Sequence, residues 1–380
     1  MNSKRLYWID GLKGIACIMI FIHHFMLAFF PASYYGEGAM IHGNNGWEVG
    51  LSQSPVGVLI NGNFWVCVFC LVSGLVQSYK IYNSNDFSKL PNDMVKRYFR
   101  FTGPIFVVSF IVFIMLQTNM FWNAEINEIV KSPWLENFYL EKKTLKDVII
   151  SSFVTVLFGG DSTFSTAFWV LKDIFIGSYL TYILSMIAWK RERKICIVHV
   201  FLGVVFYLVK SYMLLFVLGN YIAYNLVYVK KNENKYDNIK GIIYILIGAF
   251  LGGYPSEVSP DNIYRFFLVG NYTLWHELGA LFLIYGISKC IYVKKVLQNS
   301  KIVKLGELSF AVYLIHIPVL FSFSCYIFMR LYEKSGKYQS SALISLIASL
   351  LLLLGVSFIF HKYIEKWCAK IEKNIMKKIM

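Results

Sequence analysis

Ten apolar stretches divide this chain and leave only short polar segments between most of them. A helix needs about 20 predominantly apolar residues to cross a hydrocarbon core of roughly 30 Å, and several of the stretches are shorter than that. They predict an all-α, polytopic transmembrane helix bundle. The stretches are Ile15–Phe30, Pro55–Val76, Phe101–Gln117, Ala167–Ala188, Ile195–Val209, Tyr212–Tyr228, Ile242–Gly253, Leu274–Val293, Leu308–Met329 and Ala342–Phe360.

Composition supports a membrane protein and excludes several other classes. Of the 380 residues, 57% are hydrophobic and only 16% are charged, whereas soluble domains carry about 25% charged residues. These values exclude collagen-like, disordered and disulfide-scaffold chains. The formal net charge of +15 would suit a nucleic-acid partner, but the cations occur in short clusters between apolar runs, which is typical of cytoplasmic loops. We therefore expect membrane lipid, and no nucleic acid, as a partner.

The positions of lysine and arginine predict the orientation of the bundle. The segment Pro31–Ser54 contains neither residue and is predicted to be outside. An even number of crossings must then separate Arg100 from Lys190, so Val148–Phe158 is a re-entrant, interfacial or packed outer-loop segment. The prediction is about ten crossings with both termini cytoplasmic. The basic segments assigned to the inside are Lys80–Arg100, Lys190–Lys194, Lys230–Lys240, Lys289–Lys304 and the tail from Lys362.

The chain divides into a transmembrane domain, residues 1–361, and a basic cytoplasmic tail, residues 362–380. A helix over Lys362–Lys378 either lies on anionic headgroups or is simply solvated. The first apolar helix is interpreted as retained, because no convincing small-residue cleavage site follows it. The expected location is the plasma membrane, as the inner or cytoplasmic membrane of a bacterium, with multiple passes.

The first helix carries ionisable groups that a membrane would not hold without reason. Lys13 and His24 are eleven residues apart, which places them within about 20° on one helix face and about 16 Å apart along the axis. His23 lies about 80° from Lys13 by the same geometry. Intramembrane ionisable residues indicate functional sites by default. For two adjacent histidines, we favour a functional role over a bond to a neighbouring carbonyl.

Further charged groups lie near the ends of other apolar runs. Lys96, Arg97 and Arg100 precede the third run; Lys96 and Arg100 share a helix face. They suit phosphate binding, although ordinary positive-inside anchoring gives the same pattern. Lys172 and Asp173 at the outer end of the fourth run favour a site, in which they neutralise each other or their neighbours.

Two additional histidines lie in late apolar runs, and two small-residue patterns favour packing. His276 begins the eighth run and His316 lies within the ninth. His42, His199 and His361 are interpreted as incidental. Ser73-Gly74 allows close helix approach, and Cys67 with Cys70 is interpreted as a pair of packing residues because no second CxxC accompanies it.

Four segments together resemble membrane acyltransferase family 3, the integral-membrane O-acyltransferases that modify surface sugars. The first three are Ile9–Gly14 through His24, Phe69–Gly74, and Lys96–Arg100 with Pro104. The fourth, Ser309–Pro318, is similar to the family's Ser-Tyr-x-x-Tyr-Leu-x-His signature, with Phe310 replacing the first tyrosine. Trp169–Asp173 resembles a Trp-Phe-Leu-Arg-Asp variant of some members. The chain has Lys13 where the family has arginine, so it keeps the charge and loses the bidentate fork.

The resemblance implies acetyl-CoA as the acyl donor on the cytoplasmic side and the hydroxyl of a polysaccharide or glycolipid sugar as the acceptor. His24 becomes the general base or a transient acyl carrier, and Lys13 and Asp10 join it as catalytic candidates. We assign donor binding to Lys13, Lys96, Arg97 and Arg100, and we expect no metal. The residues assigned to the substrate are His23, Trp169, Lys172, Asp173, His276 and His316.

Two other functions use the same residues. A proton-coupled secondary transporter employs buried histidines for coupling, and it forms no covalent product. A non-catalytic membrane scaffold tolerates loss of His24. The sequence leaves open whether the chain forms a homo-oligomer.

Overall fold

A computed structural model describes residues 5–84, 86–188, 192–229, 236–258, 262–266 and 271–379. All regular structure in these ranges is helical, and they contain no strand. The long helices are α1 Tyr7–Phe29, α2 Gly62–Ser84, α3 Leu90–Gln117, α4 Trp169–Ala188, α5 Glu192–Leu208, α6 Met213–Tyr228, α7 Asp237–Gly252, α8 Tyr272–Lys289, α9 Ser309–Val319, α10 Cys325–Ser335, α11 Tyr338–Ile359 and α12 Lys366–Ile379. The shorter ones are Ala32–Tyr35, Trp47–Ser52, Asn123–Val130, Leu145–Ile150, Val156–Gly159, Ile291–Leu297 and Ser300–Glu307.

Six helical segments in the described ranges are long and apolar enough to cross a membrane. This confirms the all-α membrane bundle, whereas the ten crossings and the cytoplasmic termini stay predictions. Two shorter apolar helices are Ile197–Leu208 and Met213–Tyr228. The six segments are Tyr7–Phe29, Gly62–Ser84, Leu90–Gln117, Thr166–Ile187, Ser309–Ser335 and Tyr338–Lys378.

Two of these segments pass through π-helical turns without a break. Leu320–Ser324 joins α9 to α10, and Phe360–Glu365 joins α11 to α12. The basic segments Lys190–Lys194 and Lys230–Lys240 lie partly outside the described residues. Val148–Phe158 is helical within Leu145–Gly159, with its own π turn.

The second and third spans differ from the predicted apolar runs. Pro55–Leu59 forms a 3-10 turn, so α2 begins only at Gly62 and continues to Ser84. Helix α3 begins at Leu90, with a proline in its first turn where the missing N–H costs nothing. The hydropathy of the sequence indicated only the apolar part of each helix. As a result, the cations Lys96–Arg100 belong to the same helix as the apolar span.

Glycines allow helices to approach backbone to backbone. A Cβ added to Gly14 in α1 would lie 2.6 Å from the backbone nitrogen of Gly306. A Cβ at Gly74 in α2 would lie 2.9 Å from Cα of Phe216 in α6. Small residues give this kind of contact in membranes, which agrees with the packing interpretation of Ser73-Gly74. The first contact fixes α1 against the helix Ser300–Glu307.

A buried amide ties four helices together. Asn220 Nδ2 donates to Ser78 Oγ at 2.7 Å and to Ser185 Oγ at 3.0 Å. Its Oδ1 accepts from the Tyr82 hydroxyl at 2.9 Å and lies 2.8 Å from His199 Nε2. All five residues are buried. His199 therefore has a structural hydrogen bond to Asn220. It lies far in sequence from the histidines of α1 and bonds to a different residue.

Candidate active site

Helices α1 and α9 bring two of the predicted histidines into contact. His316 Nε2 lies 3.2 Å from His24 Nδ1, and the ring centroids are 5.0 Å apart. His316 is 1% exposed, and His24 is half-buried. The sequence separation of 292 residues gave no indication of this pair.

Backbone carbonyls assign the tautomers of the pair. His24 Nδ1 lies 2.9 Å from the carbonyl oxygen of Ile20, and His316 Nδ1 lies 2.7 Å from that of Tyr313. Because a carbonyl only accepts, each neutral ring carries its proton on Nδ1. His316 Nε2 then accepts from His24 Nδ1–H. His24 Nε2 keeps its lone pair and forms no hydrogen bond with any described residue.

Trp134, which belongs to none of the sequence motifs, covers one face of His24. The indole and imidazole rings are stacked with centroids 5.3 Å apart. Trp134 also packs edge-on against Phe321, at 5.1 Å. Its loop is attached to α1 because Ser132 Oγ donates to the carbonyl of Leu27 at 2.8 Å. A single tryptophan in a loop carries no periodic signal, so only the tertiary structure reveals it.

A cleft of about 990 Å³ runs from a charged mouth into the bundle, and neither His24 nor His316 lines it. Its inner lining includes Ile20 and Tyr313, whose carbonyls bind His24 and His316. Its mouth includes Lys13, Lys96, Arg97 and Arg100, as well as Asp10. Thus the cations assigned to a donor from the sequence line one space. We call the end of the bundle at which these cations lie the basic end.

At the basic end, Asp10 organises two cations rather than the histidines. Its carboxylate lies 2.8 Å from Lys13 Nζ and 2.7 Å from Arg5 Nε. Arg5 also reaches Glu307 at 3.0 Å. The fourteen residues from Asp10 to His24 correspond to about 21 Å of helix. Neither side chain contacts His24, and both line the cleft at its charged end. Their assignment to the chemical step stays a prediction.

Arg97 is held in place while Lys96 and Arg100 remain available. Arg97 Nε donates to Ser178 Oγ at 2.9 Å, and its guanidinium lies 4.9 Å from the centre of the Phe101 ring. Among the described residues, Lys96 and Arg100 form no ion pair. Cations that lack internal partners at a cleft are suited to bind an anionic ligand.

His276 belongs to a separate polar cluster at the opposite end of α2. Its Nδ1 lies 2.8 Å from Asn63 Nδ2, and its Nε2 lies 3.0 Å from the carbonyl oxygen of Tyr254. With Nε2 donating and Nδ1 accepting, both ring nitrogens are used. Asn61 is bound there as well, by the Tyr272 hydroxyl at 2.9 Å. His276 is a structural histidine in this arrangement and lacks a free lone pair.

His23 faces the same end as this cluster. Its Nδ1 lies 2.8 Å from the carbonyl oxygen of Ile60, and its ring contacts that of Tyr34 edge-on at 5.7 Å. Burial raises the pKa of the Tyr34 phenol, which hence remains a neutral hydrogen-bonding group. His23 and His24 are in ring contact, with centroids 5.0 Å apart. The structure thus places His23 between His24 and the Tyr34 side of the bundle.

The start of α4 contributes three predicted residues that do not meet the histidine pair. Trp169 packs against Tyr212 with centroids 5.8 Å apart. Lys172 and Asp173 form no ion pair with each other or with other described residues. Glu277 in α8, next to the predicted His276, is only 6% exposed and likewise forms no ion pair in the described ranges.

The family assignment rests on nearly the whole chain. A family model described as an acyltransferase domain matches residues 6–362. The chain belongs to the acyltransferase 3 family. This membership and the apolar helices together indicate a membrane protein of that family.

Individual relatives match over shorter regions. The chain is 29% identical to acyltransferase R4 of Phoma sp. over 136 residues, which are 33% of this chain and 29% of that protein. It is 31% identical to O-acetyltransferase PaAT-1 of Phomopsis amygdali over 144 residues, 35% of this chain and 27% of the relative. Acyltransferase clz18 of Cochliobolus lunatus is 27% identical over 148 residues, which are 36% of this chain and 32% of that protein. The chain therefore spans about a third of these relatives. No solved structure is significantly similar to it.

Proposed function

We propose that this acyltransferase transfers an acetyl group from acetyl-CoA to a hydroxyl of a surface or exported sugar, as a polysaccharide or glycolipid. The observation that carries the proposal is the unbonded His24 Nε2 together with a cationic cleft that reaches Ile20 and Tyr313, the residues whose carbonyls bind the two histidine rings. The cations suit the phosphates of the donor. O-acetyltransferase PaAT-1, which is 31% identical over the matched region, supports acetyl as the transferred group.

His24 acts as the general base in this proposal. Its Nε2 accepts the proton of the acceptor hydroxyl while the oxygen bonds to the acetyl carbon and the carbon–sulfur bond breaks. The same proton then passes to the departing thiolate, which leaves as a thiol. The Nδ1–H bonds to the Ile20 carbonyl and to His316 Nε2 orient the ring and stabilise its transient positive charge. His316 is thus a positioning residue.

The remaining assigned groups divide between the two ends of the bundle. Lys13, Lys96, Arg97 and Arg100 hold the donor at the basic end, and Asp10 positions Lys13. At the other end, the acceptor approaches His24 past His23. Trp134 and the apolar lining exclude water, which would otherwise hydrolyse the thioester. Trp169, Lys172, Asp173 and His276 shape the acceptor side without touching the transferred proton.

The test compares sugar-bound acetyl ester in cells that express the intact chain or His24→Ala at matched membrane levels. His42→Gln serves as the histidine control, since His42 binds the carbonyl of Val130 in the outer loops. Ester with the intact chain and the control, but not with His24→Ala, is the expected result. Equal ester with His24→Ala contradicts His24 as the base. Gradient-driven solute uptake without any ester would replace the proposal with a transporter.

A further inference from the structure

The segment after the last apolar helix folds back onto the bundle. Helix α12, Lys366–Ile379, packs along α3. Cys368 is 8% exposed, and a Cβ added to Gly103 would lie 3.0 Å from its sulfur. Met376, two turns further on, is 4% exposed. Side-chain burial therefore holds α12 against α3. Helix α12 begins just after residue 362, at which the match to the family model ends.

One face of α12 forms a wall of the cleft. The lining includes Lys366, Ala369, Glu372 and Lys373. Lys366 and Lys373 are seven residues apart, two helical turns, so they point to the same side. Lys96 and Arg100 of α3 line the same mouth. The tail thus supplies two ammonium groups to a space that already contains three α3 cations without an ion pair in the described ranges: Lys96, Arg97 and Arg100.

The charges around the mouth are not balanced within the protein. Four of the five carboxylates that line the cleft have a partner, namely Asp10 with Lys13, Glu307 with Arg5, Asp93 with Lys80 and Glu365 with His361. The fifth, Glu372, forms no ion pair with a described residue. By contrast, five lining cations form no ion pair in the described ranges: Lys96, Arg97, Arg100, Lys366 and Lys373. Glu372 interacts electrostatically with Arg100, Lys96 and Lys373 and offsets part of this charge, but the lining cations still outnumber the carboxylates. Such a mouth binds polyanions most strongly where several ammonium and guanidinium groups converge.

We propose that α12 is part of the donor site and that Lys366 and Lys373 bind phosphate groups at its mouth. This inference rests on the proposed function, because the phosphates are assigned to the nucleotide end of the CoA donor. The tail is then a binding element of the donor site. The phosphate of an anionic phospholipid offers the same chemistry, so the test must separate the two sources.

The experiment measures CoA binding to the purified full chain in lipid nanodiscs. Intact protein, the double variant Lys366→Ala/Lys373→Ala and the control Lys370→Ala/Lys377→Ala are titrated with CoA and with dephospho-CoA. The control removes the same two charges from α12 at positions that do not line the cleft. Each titration is repeated in phosphatidylcholine discs and in discs containing phosphatidylglycerol.

The expected result is a loss of CoA affinity of about tenfold in the double variant, with little change in the control. The double variant should also prefer CoA over dephospho-CoA less strongly than the intact protein does, in both lipid compositions. If the double variant binds CoA like the control, the role of α12 is overturned while the donor assignment stands. If the loss appears only with phosphatidylglycerol present, the lysines bind lipid, and the nucleotide assignment is overturned. Absence of CoA binding to the intact chain contradicts the donor itself.

Discussion

His316 Nε2 lies 3.2 Å from His24 Nδ1, and each ring also has its own backbone carbonyl as a partner. This arrangement leaves one lone pair, on His24 Nε2, without a bond to the described residues. The proposed mechanism therefore gives the two histidines different roles. In it, His24 presents the lone pair to a reacting group, and His316 holds the proton on the opposite nitrogen in place.

His24→Ala should lower acyl transfer by about 10²–10⁴-fold, because the general base is lost. His316→Asn should lower kcat by at least roughly tenfold while leaving the Kd for CoA unchanged, since its ring orients His24 and does not line the mouth. The measurements are steady-state transfer rates and CoA titrations on purified protein. A weaker Kd with unchanged kcat in His316→Asn would contradict the positioning role.

Lys13→Ala should weaken CoA binding, whereas Lys13→Arg should retain most of it, because arginine keeps the charge beside Asp10. Asp10→Asn should give an intermediate loss, since Lys13 and Arg5 lose the negative charge that fixes them. Titration of CoA in a nanodisc measures both effects. A Kd for Lys13→Ala equal to that of the intact protein would remove Lys13 from the donor site.

Trp134→Ala should increase hydrolysis of acetyl-CoA relative to transfer. The indole shields one face of His24, and its removal admits water next to the base. Trp134→Phe should keep the ratio near that of the intact chain, because a smaller ring still covers the imidazole. Thiol release with and without an acceptor gives the two rates. An unchanged ratio in Trp134→Ala would mean that another group excludes water.

Asn220→Leu should destabilise the fold by about 1–3 kcal/mol, because four buried polar groups lose their partner. Asn225→Leu is the matched control, as Asn225 lies on the same helix and bonds only to the carbonyl of Tyr221. Thermal unfolding in detergent measures the difference. Equal midpoints for the two variants would show that the Asn220 network contributes no net stability.

Much of the site could be found from sequence because its residues are local on one helix. Lys13, His23 and His24 stand out as ionisable groups in an apolar run, and their relative faces follow from helix geometry. The cations Lys96, Arg97 and Arg100 cluster in the sequence, and they line one cleft. Helix geometry also separates Lys13 from His24 by about 16 Å along the axis, whereas the ion pairs of Asp10 with Lys13 and Arg5 appear only in the structure.

Other features depended on contacts between distant segments. Trp134 reaches His24 only because its loop is bound to α1. His276 looked similar to His316 in sequence, but Asn63 and Tyr254 take both of its nitrogens. Likewise, only the tertiary structure shows that Cys368 and Met376 hold the tail against the bundle.

The sequence by itself determined that the chain is a helical membrane protein and that α1 carries a histidine above a cation. Hydrophobicity and helical periodicity are local properties, which can be determined from the amino-acid sequence alone. The tertiary structure decided which histidine of the His24–His316 pair keeps a free lone pair, what covers it and which helix closes the cleft. Hydrogen bonds and side-chain packing between segments far apart in the chain settle these questions, and no local pattern encodes them.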